Sequence, residues 1–163
     1  MRNILVIGGS KGIGKAIITN LVEENHVYNV SRTSPDFSHN NLTHSSLDIL
    51  TDELPEIDKI DTLIYCPGSI NLKPISRLKL EEFRDDFEIN VIGAVKTIQK
   101  YLPKLKEGNS PNILLFSTVA SKLGMPFHAS VAAAKSAVEG LTISLGAELA
   151  PTIRVNAIAP TVT

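Results

Sequence analysis

Ile4-Leu5-Val6-Ile7-Gly8-Gly9-Ser10-Lys11-Gly12-Ile13-Gly14, running on into Lys15-Ala16-Ile17-Ile18, decides the fold of this chain. Ile4 to Ile7 is apolar throughout and mostly β-branched, the pattern of a strand buried on both faces. The glycines end it, and the stretch from Lys15 to Glu24 places Ile17, Ile18, Leu21 and Val22 near one side, as an amphipathic helix does. A strand, a glycine turn and a helix in that order leave bare backbone amides at the positive end of a helix dipole, where a phosphate can approach closely. Gly8, Gly12 and Gly14, with Ser10, Lys11 and Ile13 between them, are therefore candidate binding residues. No Gly-Lys-Ser/Thr follows at the spacing of a P-loop, so that alternative is excluded.

Short apolar runs and helix-forming stretches alternate along the rest of the chain. Val27 to Val30 and Leu42 to Ile49 read as the second and third strands, separated by a polar surface loop from Thr33 to Asn41. Thr62-Leu63-Ile64-Tyr65-Cys66 reads as the fourth, ended by Pro67-Gly68. Lys79 to Lys106 carries apolar residues at Phe83, Phe87, Val91, Val95, Ile98 and Leu102, a helical spacing that Pro103 is expected to close. Ile113 to Phe116 is the fifth strand, Ala132 to Leu149 a helix, and Ile153 to Ile158 the sixth strand. This order predicts an α/β fold, a Rossmann-like doubly wound parallel β-sheet of about six strands with helices on both faces. Residues 1–163 are expected to form one domain.

Composition narrows the function classes. With 16 Lys+Arg against 17 Asp+Glu the chain carries a net charge of -1, which offers no broad basic face for nucleic acid or an anionic membrane. No apolar run reaches a membrane span and the N-terminus lacks a signal-peptide pattern, so a cytoplasmic protein is expected. The single cysteine, Cys66, cannot form an internal disulfide and reads as a small core residue. His26, His39, His44 and His128 lie apart, without carboxylate or cysteine partners at ligand spacing, so no metal is expected.

The spacing Gly-x-x-x-Gly-x-Gly, with matches further along, resembles the short-chain dehydrogenase/reductase family over nearly the whole chain. Ile7 to Gly14 is similar to the family's Thr-Gly-x-x-x-Gly-Ile-Gly, with Ile7 in the threonine's place. Asp48 resembles the acidic residue placed near the adenine ring, Asn90 the mid-helix asparagine, and Lys135 in Ala134-Lys135-Ser136-Ala137 the active-site lysine, which also holds the cofactor ribose. Gly68 matches the glycine of the family's Asn-Asn-Ala-Gly, although Tyr65-Cys66-Pro67 replaces the residues before it. Arg154-Val155-Asn156-Ala157-Ile158-Ala159-Pro160 is similar to the strand and turn that follow the active-site helix. The family continues through a substrate-covering loop, a helix and a seventh strand where this sequence stops at Thr163, which makes the sixth strand an expected exposed edge.

The resemblance implies hydride transfer between a nicotinamide cofactor and a small-molecule carbonyl or alcohol, in a homo-oligomer that packs through its helices. The second strand ends in Ser31-Arg32 rather than in a carboxylate, and Arg32 with Lys11 favours a 2′-phosphate, hence NADP(H) over NAD(H). The family's acid/base tyrosine stands four residues before the lysine, where this sequence has Val131. Thr118, thirteen residues earlier, takes the place of the usual serine and keeps a hydroxyl. His128, three residues before Val131, has an ordinary pKa suited to proton transfer and is the candidate substitute. The alternatives are a catalytically inactive NADP(H)-binding relative, acting as a sensor, and a structural partner of an active homologue.

Overall fold

A computed structural model describes residues 1–161. Six parallel strands form one sheet in the order β3-β2-β1-β4-β5-β6: β1 (Asn3–Ile7), β2 (His26–Ser31), β3 (Leu42–Ser46), β4 (Thr62–Tyr65), β5 (Asn112–Phe116) and β6 (Arg154–Ile158). The doubly wound sheet and its six strands are those that the alternating pattern predicts, and the direction of winding reverses between β1 and β4. Alternation of side chains sorts the core into two layers. Leu5, Ile7, Leu63, Tyr65, Ile113 and Leu115 pack on one face, while Ile4, Val6, Ile64 and Phe116 pack with Ile18 and Val22 on the other. The helices are α1 (Gly12–Leu21), α2 (Leu80–Phe87), α3 (Gly93–Lys106), α4 (Ala120–Leu123) and α5 (Ala129–Leu149). β6 lies at one end of the sheet, and its residues alternate between exposed and half-buried.

Several boundaries differ from the sequence expectation, each for a local reason. The third strand ends at Ser46 rather than Ile49, because the Leu50 N–H donates to Asp48 Oδ1 at 2.9 Å and the Asp48 N–H to Asp52 Oδ2 at 2.8 Å, which closes a turn. The segment Lys79 to Lys106 is three pieces, since one π-helical turn, Glu88–Ile92, lies between α2 and α3. Pro103 does not close the helix: it sits on the exposed side of α3, and buried Leu105 keeps the following turn on the core. α1 starts at Gly12 and α5 at Ala129, earlier than Lys15 and Ala132, as apolar periodicity cannot register glycine and small residues in a first turn. β6 starts at Arg154 because the Ile153 N–H still donates to the Leu149 carbonyl. Residues 33–41 carry no helix or strand.

Candidate functional site

The glycine turn after β1 is fixed from below by β2. The Gly8 N–H donates to the Val30 carbonyl at 2.8 Å, and the Gly9 N–H to Oδ1 of buried Asn29 at 2.9 Å. Gly8 adopts φ +80°, a left-handed conformation open mainly to glycine. Gly14 is required by close approach, because a Cβ there would lie 2.3 Å from the Gly8 carbonyl oxygen. No side chain caps the first turn of α1, which leaves its N-terminal amides available to an anion.

Above this turn lies a cleft of about 810 Å³ at the carboxyl ends of the strands. Among the sequence-predicted residues, Gly8, Ser10, Lys11, Arg32, Asp48 and Gly68 line it, whereas Gly12, Ile13 and Gly14 build the start of α1. Neither Arg32 nor Lys11 forms an ion pair among the described residues, so both cations are available to a ligand. Thr33 donates its hydroxyl hydrogen to Ser10 Oγ at 3.1 Å, joining the rim of β2 to the glycine turn. The site lies where the winding reverses, the place at which open α/β sheets bind ligands.

Asn90 and Lys135 meet behind Gly68. A Cβ on Gly68 would stand 2.9 Å from Asn90 Oδ1 and 3.3 Å from Lys135 Nζ, so the missing side chain is what lets these two approach the cleft. Lys135 donates to the Phe116 carbonyl at 2.8 Å, and burial lowers its pKa to about 8. Asn90 sits in the π-helical turn, 1% exposed, donating to the Asp86 carbonyl at 2.7 Å while its Oδ1 has no hydrogen-bond partner among the described residues. Such turns release a backbone carbonyl. Tyr65 supplies a donor here, its hydroxyl reaching the Ile89 carbonyl at 2.6 Å, and burial, reinforced by the Asp48 charge, pushes its pKa far up and keeps it protonated. Tyr65 thus gives the segment before Gly68 a hydrogen bond of its own.

Val131 is buried in the first turn of α5 and brings no polar group. Thr118 keeps its hydroxyl, which accepts the Ala120 N–H at 3.3 Å, while neighbouring Ser117 is turned away and donates to Glu139 Oε1 at 2.6 Å. His128 lines a second, largely apolar cavity of about 570 Å³ with Pro74, Ile75, Met125, Phe127 and Ala132. A carbonyl can only accept, so His128 Nδ1, 2.7 Å from the Pro126 carbonyl oxygen, carries a proton and Nε2 remains for other partners. Thr118 and His128 are not among the residues lining the first cleft, and Thr118 is not among those lining the second.

Sequence reasoning missed three features. Cys66 belongs to the cleft wall rather than to the core alone, and burial pushes its thiol up to about 12. Glu139 gathers Ser117, Ser121 and Lys122, which hold its carboxyl down at about 2. Asp86 is fully buried and takes hydrogen bonds from Ser69 and Asn71. A charged residue at a core-facing helical position was the signal that could have found it. Among the described residues no group of three His, Cys, Asp or Glu could hold a metal, and no helix is long and apolar enough to cross a membrane.

A parallel sheet with a glycine-lined, cation-flanked cleft at its switch point defines a nucleotide-binding α/β domain. The short chain dehydrogenase family model matches residues 42–163, and the chain belongs to that family. It is 29% identical to the 3-oxoacyl-acyl-carrier-protein reductase FabG of Staphylococcus aureus, a match that covers 98% of this chain and 73% of the reductase. A short chain dehydrogenase family protein of Francisella tularensis superposes with TM-score 0.86 at 25% identity, over 98% of this chain and 69% of that one. For Thermoplasma acidophilum aldohexose dehydrogenase the TM-score is 0.88 at 23% identity, over 98% and 66%, a likeness of fold.

Proposed function

We propose that the chain binds NADP(H) in the cleft above the glycine turn and serves reversible hydride transfer to the carbonyl of an apolar small molecule. The observation that carries this reading is the pairing of Arg32 and Lys11, both without carboxylate partners among the described residues, on a cleft whose second strand ends without an acid. The bare amides of the turn and the α1 terminus would receive the diphosphate, and Asp48 lines the same cleft. When bound, the nicotinamide supplies the hydride. Lys135 would hold the ribose hydroxyls from beneath Gly68, with Asn90 beside it. Thr118 would donate its free hydroxyl hydrogen to a substrate oxygen, and His128 Nε2 would exchange the proton, held in orientation by Nδ1–H on the Pro126 carbonyl. The largely apolar lining around His128 suits a substrate that is itself apolar beyond its carbonyl.

Burial of Val131 favours a second reading, a relative that binds the nucleotide without turnover. Exposed Phe87, Ile92 and Ile143 fit a homo-oligomer, which sedimentation would measure. Calorimetric titration with NADPH and NADH tests the cofactor assignment, and NADPH oxidation against ketones and aldehydes tests turnover. Arg32→Asp should shift preference toward NADH by about 1–3 kcal/mol, the worth of a charged hydrogen bond. An unchanged ratio, or no binding of either nucleotide, would overturn the assignment.

A further inference from the structure

Resting on the nucleotide reading above, we infer that Asp86 is a positioning residue: it fixes the strap from Gly68 to Lys73 so that Gly68, Ser69 and Asn71 form one wall of the cleft. Asp86 is 0% exposed, an environment in which a carboxylate is costly and an apolar residue of similar size would pack more favourably. Oδ1 accepts from the Ser69 hydroxyl and from Asn71 Nδ2 at 3.0 Å, while Oδ2 has no partner among the described residues. A half-satisfied buried carboxylate is poorly explained as a stabiliser of α2. What it does accomplish is visible in the strap.

Glu82, Asp86 and Asn90 follow at four-residue spacing along one side of the helix. Each meets one part of the strap: Glu82 pairs with Lys73, Asp86 holds Asn71 and Ser69, and Asn90 Oδ1 closes on Gly68. The strap consequently lies inside out. Ser69 and Asn71 are turned in to Asp86 and Lys73 reaches across to Glu82, whereas Ile70 and Leu72 between them are 60% and 53% exposed. The hydrophobic effect alone favours the opposite register, which a slip of one residue would produce by burying Ile70 and Leu72 and taking Ser69 and Asn71 from the wall. The buried carboxylate is the group that decides against that slip. At its far end the Lys73 N–H donates to the carbonyl of Phe127, a residue at φ +66° on the apolar cavity, so one strap borders both spaces.

The test compares Asp86→Ala and Asp86→Asn with the unaltered protein by titration with NADPH and with adenosine 2′,5′-bisphosphate, alongside amide exchange of residues 69–73. On the nucleotide reading the bisphosphate would be held by Arg32, Lys11 and the glycine turn, and it carries no nicotinamide half to meet the strap. Asp86→Ala should weaken NADPH binding by about tenfold or more and the bisphosphate by less than about threefold, with faster strap exchange. Asp86→Asn, which keeps an oxygen for Ser69 and Asn71, should recover most of the NADPH affinity. Equal losses for both ligands, unchanged NADPH affinity in Asp86→Ala, or no recovery by asparagine would overturn the inference. If the unaltered protein binds neither nucleotide, the nucleotide reading fails by itself. Strap exchange then decides for Asp86: faster in Asp86→Ala and restored in Asp86→Asn supports it, and unchanged overturns it.

Discussion

Replacing Gly93 by alanine probes how the π-helical turn that carries Asn90 is held. A methyl group built on Gly93 falls 2.2 Å from Tyr65 Oη, 3.2 Å from Ile49 Cδ1 and 3.3 Å from Leu50 Cδ2. The first distance cannot stand, so the phenol must leave, and the Ile89 carbonyl loses its hydrogen bond. Overpacking costs about 1–3 kcal/mol. Orphaning the part-buried Ile89 carbonyl costs about 1–3 kcal/mol more, and alanine's better helix propensity returns about 1 kcal/mol. Gly93→Ala should therefore be destabilised by about 3 kcal/mol, a fall in Tm of about 6–12 °C for a domain of this length. Tyr65→Phe alone should cost about 1–2 kcal/mol by removing the donor. In the double variant the hydroxyl is gone, and the nearest remaining atoms the methyl meets are Ile49 Cδ1 at 3.2 Å and Leu50 Cδ2 at 3.3 Å. It should then be about 1–2 kcal/mol more stable than Gly93→Ala, although it carries one more substitution. Thermal and urea unfolding of the four proteins measure the cycle. Additive losses would refute the reasoning that the Tyr65 hydroxyl occupies this space.

Other perturbations read other parts of the site. Lys122, then Ser117 and Ser121, hold the Glu139 carboxyl at about 2, below its value in the unfolded chain. Its stabilisation is present above about pH 4.5 and is lost as pH falls toward 2. The depression corresponds to at most about 3 kcal/mol, reduced to about 1–2 kcal/mol because Lys122 is well exposed. Glu139→Gln should lower the urea midpoint at pH 7, with the gap narrowing below about pH 4.5 and closing toward pH 2; a gap independent of pH would exclude this role. Val131→Tyr places a phenol one helical turn before Lys135 and should create or raise carbonyl reduction by about 10²–10⁴-fold. No gain across a broad substrate panel, with NADPH still bound, would count against the inherited geometry. Cys66, its thiol raised to about 12 by burial, should react with thiol reagents at pH 7.5 at least about tenfold more slowly than free cysteine. Rapid labelling would show that the cleft wall opens.

The strand-turn-helix unit and the alternation behind it were legible because they are local. A short, β-branched run such as Ile4 to Ile7 ended by glycines reads as a doubly buried strand, and bare glycines before a helix carry their own geometry. Gly8, Lys11 and Arg32 lie on the cleft wall as that local reading expects, and Gly68 lies there as the family resemblance implies. Asp48 was found too, but its turn with Leu50 and Asp52 ended β3 early, since a side-chain hydrogen bond outranks apolar patterning at a strand end. Pro103 does not end the helix, for a reason that only the packed structure shows: it faces solvent while Leu105 stays buried.

By itself the sequence determined the order of elements, the parallel sheet, the glycine turn and the absence of an acid at the end of β2, all properties of neighbouring residues. The tertiary structure decided the partnerships between residues far apart in the chain. It brought Tyr65 to the Ile89 carbonyl, Lys135 and Asn90 to the bare face of Gly68, Glu139 to Ser117, and Asp86 to an inside-out strap. These depend on a π-helical turn and on packing between helices, and no spacing in the chain specifies either, because each is set by which surfaces meet once the sheet has formed.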